Sequence, residues 1–157
     1  MKLTLLTISD KMPKWVEDVT YDYSKRFTYP VQFEITALSA PKRTTSLPSS
    51  KAKNLEGEML LEKIPSNAHL VLLDEKGKMY TSLALSKQFE TWQERGKPIV
   101  IAIGGADGFD SKLYERAQEL WSLSSLTFPH PLVRVMAVEQ LYRSLSILKG
   151  HPYHRGE

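Results

Sequence analysis

Short apolar runs alternate along the chain with longer amphipathic stretches. Five segments rich in strand-forming side chains predict five β-strands: Lys2–Ile8, Val31–Leu38, His69–Leu73, Pro98–Ile103 and Ser122–Phe128. The third and fourth segments are almost continuously apolar, which is typical of parallel strands buried on both faces.

Between these strands, apolar side chains recur at helical spacing. Helices are predicted at Pro13–Thr28, Lys51–Lys63, Ser82–Arg95, Asp110 to about Leu120, and Pro131–Leu148. The alternation of strands and helices predicts an α/β fold with a parallel-rich sheet covered by helices on both faces. We expect one domain over residues 1–157, because no linker or internal repeat divides the chain.

The last predicted helix is apolar on more than one face. A helix with one face on a core needs only a single apolar stripe. Either this helix is fully buried within the chain, or one face packs on the sheet and another on a second subunit. We favour the second explanation, which predicts a homodimer.

The amino-acid composition excludes several kinds of functional site. The 157 residues include no cysteine, which excludes disulfides, thiolate metal sites and a cysteine nucleophile. No signal peptide or apolar run of membrane-spanning length is visible, so we expect a soluble cytoplasmic protein.

The net charge of +3 is unevenly distributed, since residues 39–53 form a basic loop with Lys42, Arg43, Lys51 and Lys53. That loop is either a solubilising surface or a phosphate contact.

Polar or glycine-rich segments follow three successive predicted strands: Asp74–Lys78, Gly104–Gly108 and Thr127–Pro131. Ligands of open α/β sheets bind outside the carboxyl ends of the strands, so these segments predict one shared crevice. The glycine segment has neither the dinucleotide-binding nor the P-loop spacing, and by itself it is equally typical of a tight turn. His151 and His154 lack the further ligands that a zinc site needs, and no metal is predicted.

Three segments of the carboxyl-terminal region carry a family resemblance. They are Leu123–Val135, Glu139–Arg143 and His151–Arg155. Together with Met1–Leu3, Lys11–Pro13, Leu73-Asp74 and Ile103–Gly105, they closely resemble the RlmH family over the full length of the chain. These are small SPOUT-class methyltransferases that act on a pseudouridine of 23S ribosomal RNA.

The resemblance implies a single-domain SPOUT methyltransferase fold with a carboxyl-terminal trefoil knot, a homodimer, and S-adenosylmethionine as cofactor. The knot and the cofactor pocket would lie within about residues 70–157. By motif position, the cofactor-binding residues would be Leu73, Gly104, Leu123, Ser124, Ser125, Leu126, Thr127 and Phe128.

The implied reaction is methyl transfer to N3 of a pseudouridine, on assembled 70S ribosomes. Candidates for removing the N3 proton are His154, Tyr142 and Glu139, although Glu139 also has the i, i+4 spacing of a helix ion pair with Arg143. RNA contacts would come from Arg134, Tyr153 and Arg155, and the tail would complete the active site of a partner subunit. Alternatives are a SPOUT methyltransferase of another RNA position and a non-catalytic ribosome- or RNA-binding module.

Overall fold

Five parallel strands form one sheet in the order β2-β1-β4-β3-β5. The computed structural model describes residues 1–42 and 46–155, so Arg43 of the basic loop lies outside the described residues. The strands are β1 (Lys2–Ser9), β2 (Gln32–Ser39), β3 (His69–Met79), β4 (Ile99–Ile103) and β5 (Glu119–Ser122). The predicted α/β class with a parallel sheet is confirmed.

Helices connect the strands. They are α1 (Lys14–Arg26), α2 (Ser49–Lys63), α3 (Ser82–Glu94), α4 (Ser111–Arg116) and α5 (His130–Leu148), and a short 3₁₀ helix covers Pro152–His154. Thr81 and Asp110 cap α3 and α4 by accepting hydrogen bonds from the backbone of Ala84 and Lys112. Among the described residues, no helix is long and apolar enough to cross a membrane.

Two hydrophobic clusters lie on opposite faces of the sheet. In β4, Ile99, Ile101 and Ile103 point into one cluster, while Val100 and Ala102 point into the other. Helices α3 and α5 cover the first face and α2 and α4 cover the second. A central strand buried on both faces is therefore apolar at every position, as the sequence pattern predicts.

The structure corrects three predicted boundaries. Strand β3 continues to Met79 through a shift in its pairing with β5, so Asp74–Lys78 is not a simple loop. Helix α4 ends at Arg116 rather than near Leu120, because Glu119–Ser122 is drawn into the sheet beside β3. For the same reason the predicted strand Ser122–Phe128 is wrong: β5 ends at Ser122 and an irregular segment follows.

Helix α5 lies against both α1 and α3, and eight of its residues are buried. Burial within one chain therefore explains much of its apolar character. Val135 and Met136 remain only half-buried, and Leu132 is 40% exposed. Part of the helix surface is thus still apolar and open.

Gly77 allows β3 to pass against the backbone of β5. A Cβ atom at this position would lie 2.5 Å from the backbone N and C of Trp121, which have no freedom to move aside. We expect Gly77→Ala to lower the free energy of unfolding by roughly 2–3 kcal/mol in urea denaturation. The control is Gly96→Ala, where φ is +64° and the added methyl meets nothing within 4 Å, so the expected loss is only about 1 kcal/mol. Equal losses would contradict the steric explanation.

Candidate active site

Two adjoining cavities open at the carboxyl ends of β3, β4 and β5. The smaller, of about 160 Å³, is mainly apolar, and its wall includes Trp121, Leu123 and Phe128. The larger, of about 590 Å³, is bounded by the glycine loop Gly104–Gly108. Their walls have several residues in common: Leu73, Asp74, Glu75, Phe128 and Val133. The predicted crevice therefore exists and has an apolar part and a polar part.

Seven of the eight predicted cofactor residues line these cavities, which together include Leu73, Gly104, Leu123, Ser124, Leu126, Thr127 and Phe128. Ser125 lines neither of them, and its hydroxyl lies 3.5 Å from the sulfur of Met79. The walls also include Asp74, Glu75 and His130, which lie in segments predicted to line the crevice, and Tyr114 and Val133, to which the sequence assigned no role at the site. The signal for Asp74 and Glu75 was their position directly after the apolar part of β3.

The glycine loop is tightly held. A Cβ at Gly104 would lie 3.2 Å from the carbonyl oxygen of Gly108 and 3.2 Å from the Phe109 ring. A Cβ at Gly105 would overlap the carboxylate of the buried Glu56 on α2. An added Cβ at either glycine would force its neighbours to shift, so glycine at these two positions keeps the loop backbone close to the cavity.

Local hydrogen bonds hold the irregular segment after β5. The Ser122 hydroxyl donates to the carbonyl oxygen of Ser124 (2.9 Å), and the Ser124 hydroxyl accepts from the backbone N–H of Leu126 (3.0 Å). These contacts turn the chain sharply and leave the Leu126 side chain 71% exposed. Ser122 and Ser124 thus shape the loop, and neither has the surroundings of a nucleophile.

Carboxylates give the shared wall a negative charge. Asp74 accepts hydrogen bonds from the Tyr114 hydroxyl and from the backbone N–H of Lys76 (2.8 Å). Burial and this contact with Asp74 raise the pKa of Tyr114 to about 12, so the phenol stays protonated and continues to donate. The wall is consequently suited to a ligand that carries positive charge.

His130 begins α5 and borders the larger cavity. Burial lowers the pKa of His130 to about 4, and the positive charge of Arg134 contributes to this shift. A hydrogen bond with the Gly104 backbone acts in the opposite direction. The imidazole is therefore neutral near pH 7. Its link to Gly104 connects the start of α5 to the glycine loop.

Arg134 lies inside the protein, with only 6% of its surface exposed. Its Nη2 donates to the hydroxyls of Thr7 (2.8 Å) and Ser9 (3.0 Å) at the carboxyl end of β1. The structure thus places this predicted RNA contact in a recess of the sheet edge and away from the open surface.

The other predicted catalytic and RNA-binding residues gather beside α1. The Tyr153 hydroxyl donates to Glu139 (2.9 Å) and lies 2.8 Å from the Tyr23 hydroxyl, while the ring of Tyr142 packs 4.8 Å from that of Tyr153 between centroids. Glu139 also pairs with Arg143 at 2.7 Å, as its spacing predicts. The tail therefore folds onto its own chain as a packed element.

Two predicted tail residues complete this region. Arg155 is exposed, and His154 lies with its Nδ1 2.9 Å from the hydroxyl of Ser146. Ser146 follows His130 by 16 residues on α5, which corresponds to roughly 24 Å along a helix. Within one chain, His154 and the cavities are thus far apart. In the described part of the chain there is no cluster of three or more potential metal ligands.

Comparison with known proteins identifies the class. A family model described as a predicted SPOUT methyltransferase matches residues 1–154, and the chain belongs to that family. More narrowly, it is a member of the RlmH family, because it is 43% identical over 155 residues to the ribosomal RNA large subunit methyltransferase H of Neisseria meningitidis serogroup C and to that of Chromobacterium violaceum. Each of these alignments covers 99% of both chains.

A solved structure also resembles this fold. The SpoU methyltransferase AviRb from Streptomyces viridochromogenes aligns with 95% of this chain and 61% of its own, with a TM-score of 0.49 and 11% identity.

The residues present fit S-adenosylmethionine, the methyl donor of this class. The smaller cavity has apolar walls for an adenine ring, and Gly104 in the wall of the larger cavity has no side chain, so backbone can approach a ligand closely. Asp74 and Glu75, where the two cavities meet, suit the positive sulfonium and ammonium groups. Leu73 and Phe128 would hold the donor between them.

The buried neutral state of His130 predicts a pH dependence of stability. In the unfolded chain His130 has a pKa near 6.5 and takes up a proton as the pH falls from 6.5 to 4, whereas in the folded chain its imidazole stays neutral over this range. The free energy of unfolding therefore falls as the pH falls through this window. We expect His130→Gln to reduce this fall by on the order of 1 kcal/mol, allowing for the partial exposure of the ring. The measurement is urea denaturation at several pH values. His151→Gln in the exposed tail should keep the wild-type slope, and an unchanged slope for His130→Gln would refute the assignment.

Proposed function

We propose that this protein transfers the methyl group of S-adenosylmethionine to N3 of a pseudouridine in 23S ribosomal RNA of the large subunit, on assembled 70S ribosomes in the cytoplasm. The observation that carries the proposal is the pair of joined cavities at the ends of β3, β4 and β5, whose walls are built by the residues of the family motif. The names of the two relatives, ribosomal RNA large subunit methyltransferases, support ribosomal RNA as the substrate. We further propose that the chain forms a single domain and that its carboxyl-terminal part forms a trefoil knot around the cofactor site.

When bound, S-adenosylmethionine supplies an electrophilic methyl group on a positively charged sulfur. The protein contributes mainly by positioning, which is worth about 7–11 kcal/mol when the attacking atom, methyl carbon and sulfur are aligned. The walls at Leu123 and Phe128 would hold the adenosyl part, and Asp74 and Glu75 would face its charged groups.

The acceptor N3 must lose its proton, and we propose His154 as the group that takes it. Glu139 is engaged by Arg143 and Tyr153, and Tyr142 is only 8% exposed. We assign to His154 the tautomer in which Nδ1–H donates to the Ser146 hydroxyl (2.9 Å), because this hydroxyl then donates in turn to the carbonyl oxygen of His151 (3.4 Å). The lone pair of Nε2 is then left as the proton acceptor.

The distance along α5 supports a homodimer with shared active sites. A tail roughly 24 Å from the cavities of its own chain would serve those of a second copy, with Tyr153 and Arg155 contacting RNA there. The half-buried Val135 and Met136 line a further cavity of about 250 Å³ with Tyr80 and Leu123, beside the cofactor site. This apolar surface is the proposed contact between the two subunits.

The basic residues beside the cavities support RNA binding. Residues 49–53 of the predicted basic loop are the start of α2, from which Lys53 lines the larger cavity, while Lys42 lines the neighbouring space beyond the glycine loop. Both positions are next to the site where the RNA strand would enter, which favours phosphate contact over a purely solubilising role.

A labelled-methyl assay tests the substrate directly. Free 23S RNA, 50S subunits and 70S ribosomes would be incubated with the protein and labelled S-adenosylmethionine, and the modified nucleotide mapped by mass spectrometry. We expect 70S ribosomes to be methylated at least about tenfold faster than free RNA, because a chain of this size has little surface for reading a long sequence. Ribosomes lacking the pseudouridine are the control. Methylation at another nucleotide would support a different SPOUT target, and cofactor-independent RNA binding alone would support the non-catalytic module.

A mixing experiment tests the shared active site. Deletion of residues 151–157 removes the tail. Gly104→Val presses against the Gly108 carbonyl and the Phe109 ring and so distorts the glycine loop that lines the larger cavity, and each homodimer is expected to be inactive. When the two chains are co-expressed, half of the dimers are mixed and each has one intact site, which restores about a quarter of wild-type activity. Calorimetry should show cofactor binding to the deletion variant and none to Gly104→Val. Absence of restored activity despite mixed dimers would exclude sharing, and activity in the deletion variant alone would exclude a catalytic tail.

A further inference from the structure

The carboxyl-terminal tail is attached to α5 at two points. The Ser146 hydroxyl lies 2.9 Å from Nδ1 of His154, and the Ser146 carbonyl oxygen accepts from the backbone N–H of His151 (2.9 Å). Glu139, earlier on the same helix, accepts a hydrogen bond from the Tyr153 hydroxyl (2.9 Å). Both attachments therefore depend on a single helix.

Tyr23 adds an attachment to a second helix. It belongs to α1, and its hydroxyl lies 2.8 Å from that of Tyr153. Its ring also packs against the rings of Tyr142 and Tyr153, at 6.0 and 6.3 Å between centroids. Since α1 lies against α5, the short helix Pro152–His154 is held between the two helices.

The hydrogen bonds of this contact run in one direction. Tyr153 has a single hydroxyl proton, which it donates to the carboxylate of Glu139. The Tyr153 oxygen is therefore the acceptor for the Tyr23 hydroxyl. Burial, and after it the hydrogen bonds with Tyr23 and Glu139, raise the pKa of Tyr153, so the phenol keeps its proton near neutral pH. Tyr23 thus donates to Tyr153, and Tyr153 donates to Glu139.

His154 directly follows Tyr153 in the chain, so the direction of its ring depends on where Tyr153 is held. The contact with Ser146 fixes Nδ1 but leaves the tail free to turn about that point. A second fixed point at Tyr153 removes this freedom. The distinction matters for a proton acceptor, because its atom must come within about 2.6–3.2 Å of the atom that loses the proton.

We propose that Tyr23 is a positioning residue for the reaction: its hydroxyl holds Tyr153 and thereby directs Nε2 of His154 toward the acceptor nitrogen. This inference rests on the proposed function, in which His154 takes the proton. Tyr23 acts only through the tail and contacts neither the methyl donor nor the RNA.

The substitution Tyr23→Phe tests this role, because it removes the hydroxyl and keeps the ring that packs on Tyr142 and Tyr153. Tyr21→Phe is the matched control. Tyr21 lies on the same helix, is 65% exposed, and its ring contacts Lys25 Nζ at 4.4 Å, a contact that phenylalanine also allows.

Nuclear magnetic resonance of the histidine ring nitrogens measures the position of His154 without requiring activity. The spectra of the full-length protein would be recorded near pH 8, where an unperturbed imidazole is neutral, and His154 identified by its loss in His154→Gln. We expect wild type to show the Nδ1-protonated ring, and Tyr23→Phe to move both ring-nitrogen signals toward those of the urea-unfolded chain. Tyr21→Phe should give the wild-type signals. Unchanged His154 signals in Tyr23→Phe would overturn the proposal.

Kinetics with the ribosomal substrate provide a second measurement. We expect Tyr23→Phe to lower kcat about fivefold, the effect of one hydrogen bond, with KM and the dissociation constant for S-adenosylmethionine within about twofold of wild type. A general loss of folded protein would instead lower the amount of cofactor bound in calorimetry. Tyr21→Phe should leave kcat unchanged. An unchanged kcat in Tyr23→Phe would contradict the role.

A double-mutant cycle tests whether Tyr23 acts through Tyr153. If it does, Tyr23→Phe combined with Tyr153→Phe should have the kcat of Tyr153→Phe alone, and multiplying losses would overturn the proposal. If wild-type protein methylates no RNA, the proposed function fails, and the ring-nitrogen signals then decide by themselves whether Tyr23 directs His154.

Discussion

The central position of β4 is the constraint on which the site depends. This strand comes late in the chain but pairs with β1 on one side and β3 on the other, in parallel and along its whole length. Its five residues are all buried, with Ile99, Ile101 and Ile103 in one cluster and the smaller Val100 and Ala102 in the other, so a slip of one residue would exchange large and small side chains between the two faces. The glycine loop after β4 is consequently fixed between the ends of β1 and β3, where it lines the larger cavity.

Several polar side chains are buried at the carboxyl edge of the sheet, and their burial lowers the stability of the protein near its candidate site. His130 is kept neutral by burial and by the neighbouring charge of Arg134, and Arg134 itself is held among hydroxyls. Glu56 is buried against Gly105. An apolar edge would be easier to pack, and strain or unfavourable burial of this kind is commonly concentrated at functional sites. These side chains connect α2 and α5 to the glycine loop, so the loop is supported from both faces of the sheet.

Helix α5 separates the cavities from the carboxyl-terminal tail. Its beginning borders the larger cavity, and its end carries the tail with His154. The tail is anchored by the hydroxyl contacts of Tyr153 with Tyr23 and Glu139, so its groups are already positioned before any substrate arrives. In the proposed dimer, a rigid helix of this length would set the distance between the donor site of one subunit and the proton acceptor of the other.

The sequence alone determined the α/β class and many of the residues that line the crevice, because strand and helix periodicities and the long motif Leu123–Val135 are local properties of the chain. It also determined the Glu139–Arg143 pair, which depends only on helical spacing. Only the tertiary structure decided that β3 continues past Asp74, since that depends on pairing with β5. The inward position of Arg134 and the neutral state of His130 were likewise decided there, because burial and neighbouring charge arise from residues far apart in sequence, such as Thr7 and Arg134.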